Sequence, residues 1–419
     1  MADKRGLFRA REAEDSHRVT NIELFFDLVF VFAVTQLSHR LLTHLDWFGA
    51  VETLVLFLAL WWLWMYTSWT TNWMDPERGP VRAMLIAMML GALLLAVWLP
   101  GAFVEHGWQF ALVYVAMQIG RTAMMIVSSV HARNRDRARN FLRIVFYFVL
   151  SAPLWIAGGF ADAAWRLPLW AGALAVEYAG PFVFFATPVL GRSKISDWDI
   201  SGAHMAERVS LFVIIALGEA IVVTGNTFAT LDHPDMVSLA AFVISFLSSA
   251  AMWWVYFDSG ARRAGEVMER ADVDAGRLGR DAYTYWHMPI VAGIVVTAVG
   301  DELILAHPHA MTSTALIWTA GGGTLLFLLG NLVFKWITVA NKYPPLSHGV
   351  GLFLLAIALA VAPRIEALTF GVAMLGVLVA TAMWEWGSLN GGWERWAPGL
   401  GHRLGWPDAA EIKGRNPRL

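Results

Sequence analysis

The feature that most constrains this chain is a succession of apolar stretches, each about 20 residues long, the length a helix needs to cross the hydrocarbon core of a bilayer. Twelve are expected, at residues 21–43, 48–70, 81–102, 107–129, 141–162, 166–190, 206–229, 236–257, 283–305, 312–338, 346–363 and 367–390, separated by charged or Pro/Gly-rich breaks. Composition agrees: 57% of the 419 residues are hydrophobic and 15% are charged, against about a quarter charged in a soluble domain. The expected fold is an all-α polytopic transmembrane bundle.

The loops supply an independent check, because Lys and Arg accumulate on the cytoplasmic side. Basic residues fall at Lys4, Arg5, Arg9, Arg11 and Arg18, then at Arg78 and Arg82, then at Arg133, Arg135, Arg137 and Arg139. They continue at Arg192 and Lys194, at Arg262, Arg263, Arg270, Arg277 and Arg280, at Lys342, and in the tail at Arg395, Arg403, Lys413, Arg415 and Arg418. The intervening loops hold little more than Arg40, Arg166 and Arg364. The alternation survives all twelve crossings and puts both termini in the cytoplasm. No small-residue cleavage site precedes the first stretch, so no cleaved signal peptide is expected.

The formal charge of −2 excludes a generally basic nucleic-acid binder. With no cysteine, a disulfide framework, a thiolate zinc site, an iron–sulfur cluster and a Cys nucleophile are excluded. Of the 22 tryptophans, Trp47, Trp69, Trp73, Trp98, Trp108 and Trp165 fall near stretch ends as interfacial anchors. Trp61, Trp62, Trp64, Trp253 and Trp254 fall deeper, in helix packing or a cavity wall.

A shift of 187 residues lays His17-Arg-Val-Thr-Asn-Ile-Glu-Leu24-Phe25 over His204-Met-Ala-Glu-Arg-Val-Ser-Leu211-Phe212. Trp61-Trp62 ahead of Tyr66 is matched by Trp253-Trp254 ahead of Tyr256. The organisation read from this is a cytoplasmic segment at 1–20, a first six-helix repeat at 21–190, a cytoplasmic linker at 191–205, a second repeat at 206–390 and a cytoplasmic tail at 391–419. Six crossings per half make the repeats parallel, with a pathway expected at their interface.

Charges inside a span are costly unless paired or hydrated, and are functional candidates. They are Glu23 and Asp27 on one face of the first stretch, Arg121 in the fourth, Glu177 in the sixth, Glu207, Arg208 and Glu219 in the seventh, and Asp301 and Glu302 in the ninth. Glu219 falls near mid-membrane, and Arg121 needs an anion, with Glu177 or Glu219 the expected partner. His17, His204 and His287 sit at cytoplasmic entrances as candidate proton-handling groups. No histidine pair has metal-ligand spacing with a nearby acid, so neither metal nor cofactor is expected. Gly321-Gly-Gly323 lacks a P-loop context and reads as close helix packing.

Glu23-Leu-Phe-Phe-Asp-Leu-Val-Phe-Val-Phe-Ala-Val-Thr-Gln-Leu-Ser38 resembles the opening signature of the bacterial low temperature requirement A family. His204-x-x-Glu207-Arg208-x-x-Leu211-Phe212-x-Ile-Ile-x-Leu217-Gly218-Glu219 resembles its central motif, and Trp253-Trp254-x-Tyr256-Phe257-Asp258 and Tyr283-x-Tyr285-x-His287-x-Pro289 resemble later blocks. The resemblance implies a bacterial polytopic inner-membrane protein linked by name to growth in the cold, with no settled activity. A fainter likeness links Asn21-x-x-x-Phe25-Phe26-Asp27 and Arg208-x-x-x-Phe212 to potassium channels whose six-helix repeats open with Arg-x-x-x-Phe-Ser-Asp. The first segment lacks the Arg and the second the Asp, so no activity carries over.

The leading expectation is a transporter or channel for a proton, cation or small solute, using these carboxylates. The alternatives are an intramembrane enzyme acting on a lipid or isoprenoid, with Glu219 or Glu177 as acid/base, and a structural or stress-adaptation protein. The expected partners are the lipid bilayer, an ion or small-molecule substrate and, for a homodimer, a second copy.

Overall fold

The computed structural model describes residues 6–9, 18–194, 197–198, 200–231, 233–258, 275–339 and 344–389. Each apolar stretch is a helix: α1 (Asn21–Thr43), α2 (Trp47–Trp73), α3 (Gly79–Trp98), α4 (Gly107–His131), α5 (Arg135–Phe160), α6 (Ala163–Phe182), α7 (Gly202–Ala229) and α8 (Met236–Tyr256). They are followed by α9 (Gly279–Ala306), α10 (Thr314–Thr338), α11 (Leu346–Val361) and α12 (Ala367–Leu389). The first turns of α9 and residues within α10 are π-helical. Eleven of the twelve are long and apolar enough to cross a membrane. The other is α6, whose 20 residues include Arg166, Glu177 and two prolines, and whose charged side chains are buried.

Short polar side chains start the helices by accepting orphan backbone N–H groups. Asp46 accepts from Gly49 N (2.8 Å), Asn134 from Arg137 N (2.9 Å) and Asp235 from Ser238 N (2.7 Å). The Ser238 backbone and hydroxyl hold the exposed Asp235 carboxyl below the ordinary aspartate range. The sequence-based boundaries err most at α5, which begins six residues before the expected Phe141, and at α6, which stops at Phe182 instead of continuing to 190. The chain leaves α6 because Phe184 and Phe185 take left-handed conformations, φ 53° and 47°, which end a right-handed helix.

Loops expected on one side of the membrane do meet. At the end rich in Arg and Lys, Arg9 N donates to Trp73 O (2.9 Å), Asp75 N donates to Leu7 O (2.9 Å), and Arg137 stacks on Phe8. At the opposite end Arg40 pairs with Glu52 and donates to Pro100 O, while Arg166 donates to Ala102 O and Val104 O. There too Thr312 N donates to Ile365 O (3.0 Å).

Within the first six helices α1 packs on α2 and α3, α3 on α4, α4 on α5, α5 on α6, and α6 back on α2. The second six repeat that order: α7 on α8 and α9, α9 on α10, α10 on α11, α11 on α12, and α12 back on α8. The halves meet where α1 touches α7 and α9. Burial repeats with a shift of 186, not 187: Phe26, Phe30, Ala33, Val34, Leu37 and Ser38 are buried, as are Phe212, Ala216, Glu219, Ala220, Val223 and Thr224. Phe25, expected opposite Phe212, is 59% exposed.

The tryptophans divide differently from expectation. Trp61, Trp62 and Trp64 are buried, whereas Trp253 and Trp254 face outward. Trp69 and Trp73, expected as interfacial anchors, are buried, while Trp47, Trp108 and Trp165 are exposed at helix ends.

Candidate functional site

Three of the helices that meet between the halves, α1, α7 and α9, carry most of the candidate residues. At the basic end of this seam Glu23 completes a capping box by accepting from Thr20 N (2.9 Å). The same oxygen accepts from Arg9 Nη2 (2.9 Å), and Oε1 faces His204 Nε2 at 3.0 Å. Asn72 donates to Ser201 O and accepts from Ser201 N, which aims its Nδ2 at His204 Nδ1, 3.3 Å away. Because Asn72 can only donate there, His204 is neutral, with its proton on Nε2 donated to Glu23. Arg9 Nη2, 3.2 Å from Nε2, is then a neighbour and not a hydrogen-bond donor to the ring.

One turn further along α1, Asp27 Oδ1 accepts from Arg208 Nη2 (2.8 Å) and Trp64 Nε1 (2.8 Å). Arg208 Nη2 also donates to Ser68 Oγ (3.2 Å), and Nη1 lies 4.0 Å from Glu23. Two carboxylates are thus set against two guanidinium groups with no net charge, the arrangement that makes burial of ions tolerable. Asp27 Oδ2 and Arg208 Nε and Nη1 nevertheless have no hydrogen-bond partner among the described residues.

Beyond this cluster the seam is blocked by rings. Trp64 packs on Phe212 with centroids 4.3 Å apart, and Phe26 on Phe30 at 4.9 Å. Thr35 lies about 12 Å beyond Asp27 along the helix axis, and there its hydroxyl donates to Glu219. Two turns on, Thr227 donates to Glu302 Oε1 (2.9 Å), whose Oε2 is buried and has no hydrogen-bond partner among the described residues. Asp301, beside it on α9, lies next to Ser245 of α8. These outer carboxyls are held by neutral hydroxyls, whereas the inner ones are held by cations.

One expectation fails. Among the described residues Arg121 pairs with no acid. It donates to Gln118 Oε1 (2.5 Å), Leu63 O (3.3 Å) and Thr67 Oγ1 (3.3 Å), and its guanidinium lies over the rings of Tyr66 and Phe148. Gln118 Nε2 donates to Tyr114 OH (3.0 Å), which donates to Glu177 (2.7 Å), so two neutral side chains separate Arg121 from Glu177. Ser151 Oγ (2.7 Å) and Trp155 Nε1 (2.8 Å) complete the shell of Glu177. The reason is placement: Glu177 faces α4 and α5 inside the first half, and Glu219 faces α1.

His287, a candidate proton-handling group, is placed apart from the acids of the seam. Its Nδ1 donates to Ala282 O (2.9 Å) and its Nε2 accepts from Tyr256 OH (2.9 Å), with the ring packed on Tyr283 and Phe334 away from the seam. Glu207 is exposed and accepts from Val19 N (3.1 Å). His17 lies outside the described residues. Sequence reasoning missed Thr35 and Thr227, which have no signal as isolated threonines. It also missed the buried Lys335–Glu385 ion pair (2.7 Å) joining α10 to α12, although both residues fall inside expected spans. Among the described residues no group of three or more acids and histidines could hold a metal ion.

Residues 18–383, which include every charged residue of the seam except Arg9, match the family model described as Bacterial low temperature requirement A protein (LtrA). The chain belongs to the LtrA family. A protein of Rhizobium meliloti (strain 1021), Uncharacterized protein RA0937, is 36% identical over 393 residues, covering 93% of this chain and 94% of that protein. No solved structure matches. The sequence and the fold together make this a multi-pass membrane protein of the LtrA family.

Proposed function

We propose that this LtrA-family chain conducts protons across the bacterial inner membrane along the α1–α7–α9 seam. Glu219 is the central carrier, and the Glu23–His204–Arg208–Asp27 cluster closes the basic end, which faces the cytoplasm. The observation that carries this reading is that Glu219 is buried and its hydrogen bond comes from a neutral hydroxyl on the facing helix. A carboxylate clamped by Arg is held ionised as a tie. One bonded to Thr35 can bind and release a proton without leaving a cation unpaired. Glu302 on Thr227 repeats that chemistry further along the seam. A dehydrated metal cation needs several converging oxygens, and the acids of the seam are too dispersed to supply them.

The test is proton flux into liposomes carrying the full chain, read with an internal pH dye under an imposed membrane potential. The wild-type chain should accelerate acidification, and Glu219→Gln should abolish that while leaving the melting temperature in detergent nearly unchanged. Equal flux from Glu219→Gln, or none from the wild type, would overturn the proposal. The same reading ties the cold-growth description of the family to proton handling. Glu219→Gln should then fail wherever the wild-type chain restores growth in the cold.

A further inference from the structure

Away from the seam, at the basic end, a cavity of ≈ 110 Å³ is enclosed by α2, α5, the turn after α6 and the π-helical entry to α9. Its walls are rings, including Trp69 and Trp73 of α2, Phe141 of α5, and Phe185 and Trp198 of the connection to α7. Its polar lining consists of Arg280, Thr284, the Tyr66 hydroxyl and the indole N–H groups. The volume is of the order that holds one aromatic ring.

Three details single this cavity out from ordinary packing. The Phe184–Phe185 pair in its wall is held in left-handed backbone by Ser193 N donating to Phe184 O (2.7 Å) and Phe185 N to Gly180 O (2.8 Å). Strained non-glycine residues of this kind collect at ligand clamps. Arg280 stands on a π-helical turn, itself a frequent mark of a functional position. Its Nε is taken by Asp281 (2.7 Å), and its two terminal nitrogens have no hydrogen-bond partner among the described residues. Trp62, also in the wall, is 1% exposed and its Nε1 has no acceptor among the described residues. By contrast the neighbouring indoles of Trp61 and Trp69 are satisfied: Trp61 donates to Thr284 O (2.9 Å) and Trp69 to Thr284 Oγ1 (3.2 Å).

We infer that this cavity binds a small aromatic carboxylate, with its ring among Trp69, Trp73, Phe185 and Trp198 and its carboxylate on the free fork of Arg280. Stacked rings supply an apolar slot for a flat body, and a guanidinium with two unused N–H ends receives a carboxylate in bidentate fashion. The unpaired Trp62 N–H is a donor for an acceptor atom at the buried end of the ligand. An aromatic box alone also suits an ammonium ion, but the terminal N–H groups of Arg280, whose Nε is paired with Asp281, are donors that a carboxylate accepts and an ammonium cannot. This site does not depend on the proton path.

Calorimetric titration of the full chain in nanodiscs, with empty nanodiscs as blank, separates the alternatives using benzoate, benzamide, benzylammonium and hexanoate. Benzoate should bind, benzamide about tenfold or more weakly for want of the charged contact, and benzylammonium not at all. Arg280→Gln should weaken benzoate to the level of benzamide, with Arg280→Lys in between because it keeps the charge and loses the fork. Ile144→Phe, which fills the cavity from α5, should remove binding with Arg280 intact. Arg280 and Asp281 are both partly exposed, so a melting curve matching wild type is expected for the Arg280 variants. Stronger binding of benzylammonium than benzoate, tighter binding of hexanoate, no binding of any probe, or benzoate binding indifferent to Arg280→Gln would each overturn the assignment.

Discussion

Arg208 and Glu219 lie on the same helix, three turns apart, and their surroundings give them opposite tasks. Arg208 is fully buried and neutralises Asp27, with Glu23 4.0 Å away. Removing one partner of such a pair leaves an uncompensated buried charge, so Arg208→Gln is expected to destabilise by roughly 3–5 kcal/mol in a denaturation series in detergent. Asp27→Asn should do the same in the background of an intact Arg208. Glu219 has no cationic partner among the described residues, so Glu219→Gln should shift the midpoint by less than about 1 kcal/mol, because the amide still accepts from Thr35. A loss at Glu219 as large as that at Arg208 would make it a tie. The sequence marked both residues as charges inside a span, but could not tell a tie from a carrier. That distinction rests on whether an Arg or a Thr faces the carboxyl from another helix, and contacts of that sequence separation leave no local pattern. Arg121 shows the same limit from the other side. Its need for stabilisation was legible, but Gln118 one turn away and the ring faces of Tyr66 and Phe148 answer it instead of an acid.

Among the helices, existence was legible throughout, whereas the apolar stretches placed the starts of α5 and α7 six and four residues late, past the polar residues that cap them. Asp46, Asn134, Ser201 and Asp235 stand one residue before α2, α5, α7 and α8. The end of α6 was not legible, because Phe-Val-Phe-Phe reads as continuing apolar helix and nothing local announces left-handed phenylalanines. The Gly321–Gly323 run was read as close packing, and the structure separates its members. A Cβ on Gly293 or Gly300 of α9 would fall 2.6 Å from Phe327 N or 2.5 Å from Ala320 N of α10, so these backbones nearly touch. Gly300→Ala should therefore push α9 from α10 and cost about 1–3 kcal/mol. Gly322→Ala meets nothing within 4 Å and should be neutral or slightly stabilising, since Ala is the better helix former. Parallel melting curves of the two variants check this. Similar losses at both glycines would mean that the close approach at Gly300 does not set the cost.

At the scale of the whole molecule the question is why two halves with the same order of helix contacts carry different charges. With a shift of 186 the buried Asp27 of α1 corresponds to Val213 of α7, and the buried Glu219 of α7 to Ala33 of α1. We read the halves as parallel repeats whose carboxylates have been distributed to different depths, so that one seam holds acids near its start, its middle and its far end. The shift of 187 is anchored on Leu-Phe identities, whereas the shift of 186 follows the face each helix turns to its partner. Parallel halves require the α1 and α7 N-termini on one side of the membrane, so reporters placed just after α1, at Asp46, and just after α7, at Asp232, should report the same side. Depth is tested separately. The chain has no cysteine, so Thr35→Cys with Glu219→Cys should cross-link spontaneously or with a short bifunctional reagent. Phe25→Cys with Glu219→Cys should not, because Phe25 points outward nearly three turns from Thr35. Cross-linking of the second pair at the rate of the first would mean that α1 and α7 meet in another register. The depths assigned to Asp27 and Glu219 would then fall with it.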